Sequence, residues 1–451
     1  MGAEMQKDLT QVNVTKTMLL FAFPMILGNL LQQCYNIADT LIVGRFIGSD
    51  ALAAVGSAYS LMTFLTSIII GLCMGSGTVF SVYFGKKDML QLKHSMMSSF
   101  LFIAAVTIII NILVFAGTNI ILHVLRVPAD VYDLMREYVW IIFFGIFFVF
   151  LYNYFAFLLR AMGNSAVPLF FLAVAAVLNI GLDIIFIVIL EQGVGAAALA
   201  TVISQAVSGI GIALYVWFSQ PALRIQKNTF IASKKTMAKI VRHSLAACVQ
   251  QSVMNFGILM IQGLVNSFGA TVMAAFAAAV KIDSFAYMPA QEFGNAFSLF
   301  ISQNHGAGKR TRIREGISKA IKTSVVFCLA ISLFIFIFAP HLMQIFVLGT
   351  ETDIINTGVG YLRIEGSFYC GIGLLFLLYG FYRGIEKPEM SLILTILSLG
   401  TRVLLAYLLS PVPFIGVSGI WWAIPIGWFL ADLTGILYMI KIGTFHKKAP
   451  L

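Results

Sequence analysis

Of 451 residues, 60% are hydrophobic and 11% charged, where a soluble domain carries about 25% charge, and the mean hydropathy is +0.94. These values exclude a soluble globule and indicate an all-α, polytopic membrane protein. The formal net charge of +10 does not imply nucleic acid as a partner, because the basic residues flank apolar runs and so report membrane orientation.

In chain order, twelve apolar runs are long enough to cross the roughly 30 Å hydrocarbon core as helices: 16–44, 51–84, 96–124, 131–160, 165–190, 194–218, 240–267, 272–305, 318–347, 355–384, 388–412 and 416–442. The first is too long for a signal-peptide core and has no clear small-x-small cleavage site, so it is expected to be retained. Lys7, Lys16, Lys86, Lys87, Lys93, Arg160, the segments 224–242 and 309–322, Arg383, Lys387, Lys441, Lys447 and Lys448 fall on one side, against Arg45 and Arg126 on the other. By the positive-inside rule both termini are cytoplasmic and odd-numbered spans run outward. The expected setting is the plasma (inner) membrane, with anionic lipid as a secondary partner.

The polar, basic stretch 219–239 reads as a cytoplasmic linker between an N-terminal lobe, 1–218, and a C-terminal lobe, 240–451. The lobes resemble each other. A shift of 221 residues carries Phe46–Ala54 onto Ser267–Ala275 and Gly85 onto Gly306, and a shift of 223 carries Arg160 onto Arg383 and Gly193 onto Gly416. A repeat that begins and ends on one side, six spans apart, is parallel, which predicts two pseudo-symmetric six-helix lobes of the kind used by secondary transporters.

Chemistry-bearing residues cluster in the first lobe. Asp39 lies inside span one, where a carboxylate is costly and is by default functional; a water-exposed acid at a helix end is the competing reading. Asn179 and Asp183, four apart in span five, share a helix face. With Tyr138 in span four and Thr201 in span six, all five residues come out at depths of roughly 7 to 17 Å, allowing 1.5 Å per residue. They suit either an oxygen-lined site for a hard cation such as Na⁺ at Asp39 and Asp183, or a pair of carboxyls sharing a proton. Pro24 in span one removes a backbone hydrogen bond and permits a gating kink.

The second lobe does not repeat the set. The same shifts place Met260, Arg402, Ala406 and Ile424 opposite Asp39, Asn179, Asp183 and Thr201. It carries its own polar network of Lys281, Asp283, Glu365 and Arg402, in which a structural ion pair between Glu365 and Arg402 is the favoured reading. The five cysteines stand singly in apolar segments and give neither a disulfide framework nor metal-ligand spacing. Gly306-Ala307-Gly308-Lys309 lacks the upstream glycine of a Walker loop, and the six histidines form no His-x-x-x-His or Ser/His/Asp arrangement, so an enzyme is not expected.

The run Phe23-Pro24-Met25-Ile26 through Asp39-Thr40, the segment Gly44–Gly56, Arg160-Ala161-Met162-Gly163 with Pro168, Asn179 with Asp183, and Pro289-Ala290-Gln291 through Gly308-Lys309 resemble, in order and spacing, the multidrug and toxin extrusion family. The resemblance covers nearly the whole chain. It implies alternating access driven by Na⁺ or H⁺, with amphipathic, mostly cationic drugs or toxins as small-molecule substrates and no cofactor beyond the coupling ion. It maps the family's cation or proton site onto Asp39, Asn179, Asp183 and Thr201 with Tyr138 nearby, its bending proline onto Pro24, and drug-cavity positions onto Gln32, Tyr35 and Asn153. The protein is expected to act as a monomer. The alternative is a lipid-linked glycan flippase of the same superfamily, which would call for a basic rather than an acidic cavity.

Overall fold

The computed structural model describes residues 8–11, 13–124, 127–224 and 234–443, apart from the side chains of Ser49 and Val124. The sequence readings at Lys7, Arg126, the centre of the linker, Lys447 and Lys448 lie outside these residues. No strand occurs among the described residues, as expected where lipid supplies no hydrogen bonds and each backbone segment must satisfy itself. The chain forms α1 (Val14–Phe46), α2 (Ser49–Gly85), α3 (Met89–Val124), α4 (Ala129–Ile142), α5 (Gly145–Ala161), α6 (Ala166–Asp183), α7 (Val194–Ser219), α8 (Lys234–Asn266), α9 (Ala270–Gly306), α10 (Arg310–Gln344), α11 (Thr352–Gly366), α12 (Tyr369–Gly384), α13 (Pro388–Leu409) and α14 (Ser418–Lys441). Ten segments are long and apolar enough to cross a membrane alone, and the bent pairs α4–α5 and α11–α12 bring the spans to twelve.

Two of the expected continuous spans are broken. The turn between α4 and α5 bends the span by 43°, and that between α11 and α12 by 51°. At both points the backbone tightens from i−4 to i−3 bonding: Phe144 N–H donates to Ile141 O at 3.2 Å and Phe368 N–H to Glu365 O at 3.0 Å. In the second break the Ser367 hydroxyl also donates to Arg363 O at 2.6 Å, competing with the backbone donor and favouring a bend. A third departure follows Asp183, where α6 gives way to a π-helical turn, Ile184–Ile189. Span seven starts earlier than the hydropathy indicates, because α8 continues through the basic Lys234–Lys239 stretch.

The internal repeat is visible in the backbone. Gly48 (φ 125°) before α2 and Gly269 (φ 93°) before α9 occupy the same left-handed position 221 residues apart, as do Lys87 (φ 58°) and Gly308 (φ 68°). The equivalence at a shift of 223 holds for Gly163 (φ 86°) and Glu386 (φ 63°). These are the positions where a helix must stop and the chain reverse, and positive φ is easiest for glycine.

The chain divides into two compact units, one built from Phe23–Cys248 and the other from Leu9–Ala22 and Val249 onward. In the first, the Phe100 ring meets Tyr154 edge-on at 5.2 Å and Phe150 at 5.3 Å. In the second, Phe276 stacks on Trp421 at 5.5 Å and Tyr361 meets Trp421 edge-on at 5.0 Å. The second unit also depends on bare backbone contact between α9 and α12: a Cβ on Gly380 would lie 2.5 Å from Gly294 O. Gly400 in α13 has open space around it. Gly380→Val is therefore expected to cost about 1–3 kcal/mol by overpacking, while Gly400→Ala leaves stability unchanged or slightly raised. Thermal unfolding of the two variants in detergent checks this; equal melting temperatures would show that the α9–α12 approach carries no such constraint.

Candidate functional site

Five residues marked by depth in the sequence come together in the first unit. Asp183 ends α6 fully buried, with Asn179 one turn earlier at 2% exposure. Asn179 Nδ2 donates to Thr201 Oγ1 of α7 at 3.3 Å, and that hydroxyl donates to Ala197 O at 3.1 Å. With its nitrogen committed to Thr201, Asn179 has its carbonyl oxygen buried and unpartnered. The Asp39 and Asp183 carboxyls are close enough to share a proton. Tyr138, buried near the end of α4, lies within electrostatic reach of both acids and of Tyr35.

What this group lacks is a donor. Asp39 Oδ1, Asn179 Oδ1 and both oxygens of Asp183 are buried without a hydrogen-bond partner. Among the described residues, no lysine or arginine contributes to the electrostatics of either acid. Four oxygens with two formal negative charges and no donor are costly to keep buried, and hard oxygens are the ligand type that suits a small cation or a proton. The π-helical turn after Asp183 puts an irregularity next to the acid, a position such turns often occupy at functional sites.

The residues tied to a drug cavity by resemblance are placed nearby in part. Tyr35 is half-buried, hydrogen-bonds with Gln32, and lies within electrostatic reach of Asp39, Tyr59 and Tyr152. Gln32 is exposed. Asn153 is half-buried and donates to Val149 O of its own helix at 2.9 Å, which occupies its amide nitrogen. Tyr59 and Tyr152 were not singled out in the sequence; the signal available was a phenol inside an otherwise apolar span. α1 runs unbroken through Pro24.

In the second unit, Asp283 of α9 is buried and accepts from the Tyr369 hydroxyl at 2.6 Å and the Tyr361 hydroxyl at 3.5 Å. Glu365, also buried, interacts with Asp283 and Tyr361, and Arg402 is the cation acting on both acids. Three of the four residues grouped in the sequence thus form one cluster. Lys281 does not join it: exposed, it holds its ammonium 5.9 Å from the Phe346 ring. The reason is helical geometry, since residues two apart point to different faces. The tyrosine donors were missed, as was Asp432 of α14, which is buried with Oδ1 unpartnered.

The MatE family model matches residues 24–185 and 244–408. The chain is 30% identical over 397 residues, 87% of each chain, to the probable multidrug resistance protein YpnP of Bacillus subtilis. Its fold superposes with a TM-score of 0.91 on the outward-facing conformation of a multidrug resistance MATE family transporter of the MOP superfamily, at 24% identity and 98% coverage of both chains. A MOP superfamily transporter from Pyrococcus furiosus, described as having a binding pocket of reverse polarity that suggests a different function, gives a TM-score of 0.90 at 25% identity over 96% of both chains.

The second-unit cluster makes a separable prediction. Arg402→Ala leaves Asp283 and Glu365 facing each other without a cation, and is expected to destabilise by about 3 kcal/mol, as when a buried pair loses one partner. Glu365→Gln in the same chain removes half of the repulsion and should recover part of the loss. Additive losses across that double-mutant cycle would show that Arg402 does not act on these acids.

Proposed function

The chain belongs to the MatE family, and from that premise we propose that it is a cation-coupled antiporter that exports amphipathic, mostly cationic drugs or toxins in exchange for Na⁺ or H⁺. It does so as a monomer in the plasma membrane, with both termini cytoplasmic and the cargo site opening alternately to either side. The observation that supports this reading is the unneutralised oxygen cluster of Asp39, Asn179 and Asp183. A buried carboxylate beside a half-buried one, without protein cations, is costly at this depth, so the group is most stable while something positive is bound. A proton, a sodium ion and a drug ammonium all satisfy that need, and each reduces the gain available to the others. Mutual displacement at one pair of acids is the physical basis of exchange. Tyr138 shields the pair from water, and Asn179 and Thr201 supply neutral oxygens.

A flippase for lipid-linked glycans, the alternative, would present cations to a phosphorylated cargo; among the described residues no lysine or arginine acts on the two first-unit acids. An enzyme would need a nucleophile with its base or a set of metal ligands, and among the described residues no group of three or more His, Cys, Asp or Glu side chains is placed to hold a metal.

Export in proteoliposomes, with Na⁺ and pH gradients imposed separately and tetraphenylphosphonium as cargo, tests the proposal. Wild type should accumulate the cation against its gradient when one of the two is imposed. Asp39→Asn and Asp183→Asn should each abolish this while the protein remains folded, and wild-type export by either variant overturns the first-unit mechanism. In equilibrium binding, the coupling ion should weaken tetraphenylphosphonium by about 5- to 150-fold, the range of a typical coupling energy, and the drug should weaken the ion by the same factor.

A further inference from the structure

The segment ahead of α1 is held by side chains in a manner that its length does not require. Leu9 is fully buried, and so are Gln303 and Asn304 of the last turn of α9. Leu9 N–H donates to Gln303 Oε1 at 3.2 Å, and Leu9 O accepts from Asn304 Nδ2 at 3.2 Å and from Arg312 Nε and Nη2 at 3.3 Å each. Lys309 Nζ donates to Thr10 O at 2.7 Å and to Thr10 Oγ1 at 3.2 Å, and Arg312 Nη2 also donates to Gln11 O. Arg312 is fixed in turn by lying 5.6 Å from the Phe300 ring. Every carbonyl of the three-residue stretch is thus read by a cation, an amide or both.

The first unit contains the counterpart. Its turn between α2 and α3 receives the start of α8: the Thr236 hydroxyl donates to Gln91 Oε1 at 3.3 Å, Lys239 Nζ sits 4.6 Å from the Tyr83 ring, and the Ser76 and Ser244 hydroxyls lie 2.9 Å apart. The shift of 221 that relates the halves carries Tyr83 to Asn304 and Gln91 to Arg312. The repeat therefore places a seat at the same turn in each half, and each seat holds the lead-in to a first span.

We propose that Gln303, Asn304, Lys309 and Arg312 are positioning residues of the transport cycle, holding the leading end of α1 so that occupancy of the Asp39 site is transmitted along the helix to the second unit. α1 is one 33-residue helix; its first residues belong to the second unit, and Asp39 belongs to the first. A helix fixed at one end transfers a displacement at the other; one with a loose end dissipates it in its own tail. The link is covalent and continuous, and a rigid secondary element is one of the carriers of coupling between distant sites. The Leu9 amide, hydrogen-bonded and buried, is the natural reporter of whether the seat is closed. The proposal rests on the antiporter reading for its transport arm and on geometry alone for its seat arm.

Two measurements on the full chain test it. In proteoliposomes, Gln303→Leu and Arg312→Ala should slow tetraphenylphosphonium exchange by roughly tenfold or more, as for hinge positions remote from the chemistry. Equilibrium binding of tetraphenylphosphonium should stay at its wild-type value in both, and Gln303→Glu, which keeps an acceptor for Leu9 N–H, should restore exchange. Leu9→Pro, which removes that N–H, should match Gln303→Leu, and the double variant should be no worse than either. Hydrogen exchange forms the second arm: amides 9–11 should be protected in wild type and exposed in Gln303→Leu. Saturating tetraphenylphosphonium should change that protection in wild type and not in Asp39→Asn. Wild-type exchange rates in Gln303→Leu and Arg312→Ala overturn the proposal, and so does loss of binding in parallel with rate, since that marks a fold defect. Unprotected amides 9–11 in wild type overturn the seat independently of whether the protein exports anything, and protection insensitive to tetraphenylphosphonium under conditions where its binding is measured overturns the coupling.

Discussion

A buried carboxylate set beside a half-buried one without a basic partner imposes a requirement that the surrounding helices are built to maintain. Asp183 has no exposure, and an uncompensated charge there would cost more than a helix terminus could recover. Ordinary folding physics would place an arginine beside it or exchange it for leucine. The first unit does neither. Instead, Asn179 commits its nitrogen to Thr201 and leaves its oxygen unpartnered, which adds to the deficit of donors. The α4–α5 break comes just after Tyr138, whose buried phenol lies within electrostatic reach of both acids.

The second unit solves the same problem in the opposite way. Asp283 and Glu365 are equally buried, yet two tyrosine hydroxyls donate to Asp283 and Arg402 supplies a charge. Glu365 Oε2 and Arg402 Nε still lack hydrogen-bond partners, so what separates the two clusters is the basic residue rather than complete satisfaction. The backbone repeat, down to the left-handed turn positions 221 residues apart, therefore carries two different electrostatic designs. Position 402 shows how small the change is: the shift that aligns the halves sets Arg402 where the first unit has Asn179, a cation in place of a neutral amide.

How much of this was legible in the sequence follows from which physical signals are one-dimensional. Span number, the repeat and the co-location of Asp39, Tyr138, Asn179, Asp183 and Thr201 could be read, because hydropathy fixes the spans and a rise of about 1.5 Å per residue fixes depth. Direction around a helix is available in the sequence too, but the grouping of Lys281 with Asp283 does not apply it, since two residues apart is not one face. The broken spans were not legible. Phe143-Phe144-Gly145 and Ser367-Phe368 are as apolar or as small as their neighbours, and the tightening to i−3 bonds is decided by tertiary packing. The π-helical turn Ile184–Ile189 is hidden for the same reason, in a run of β-branched and aromatic residues that reads as uninterrupted helix. Tyr361 and Tyr369 went unmarked because a tyrosine in a span looks like bulk until its hydroxyl is seen to reach an acid.

The location of the strongest repeat similarity carries its own argument. Hydrophobic spans facing lipid are weakly specified, since leucine, isoleucine, valine and phenylalanine serve equally there, and their order holds little information. The turn after the second span of each half differs: it must reverse the chain at a left-handed residue, Lys87 or Gly308, and receive the lead-in to another span. Those constraints are geometric, so they act on both copies of the repeat alike. The chemistry that fills the seats is free to differ, and does, with an aromatic ring and a glutamine in one and an asparagine and an arginine in the other. A duplicated scaffold thus retains its joints while its charges diverge, with two acids and no basic partner in one half and two acids with an arginine and two tyrosines in the other.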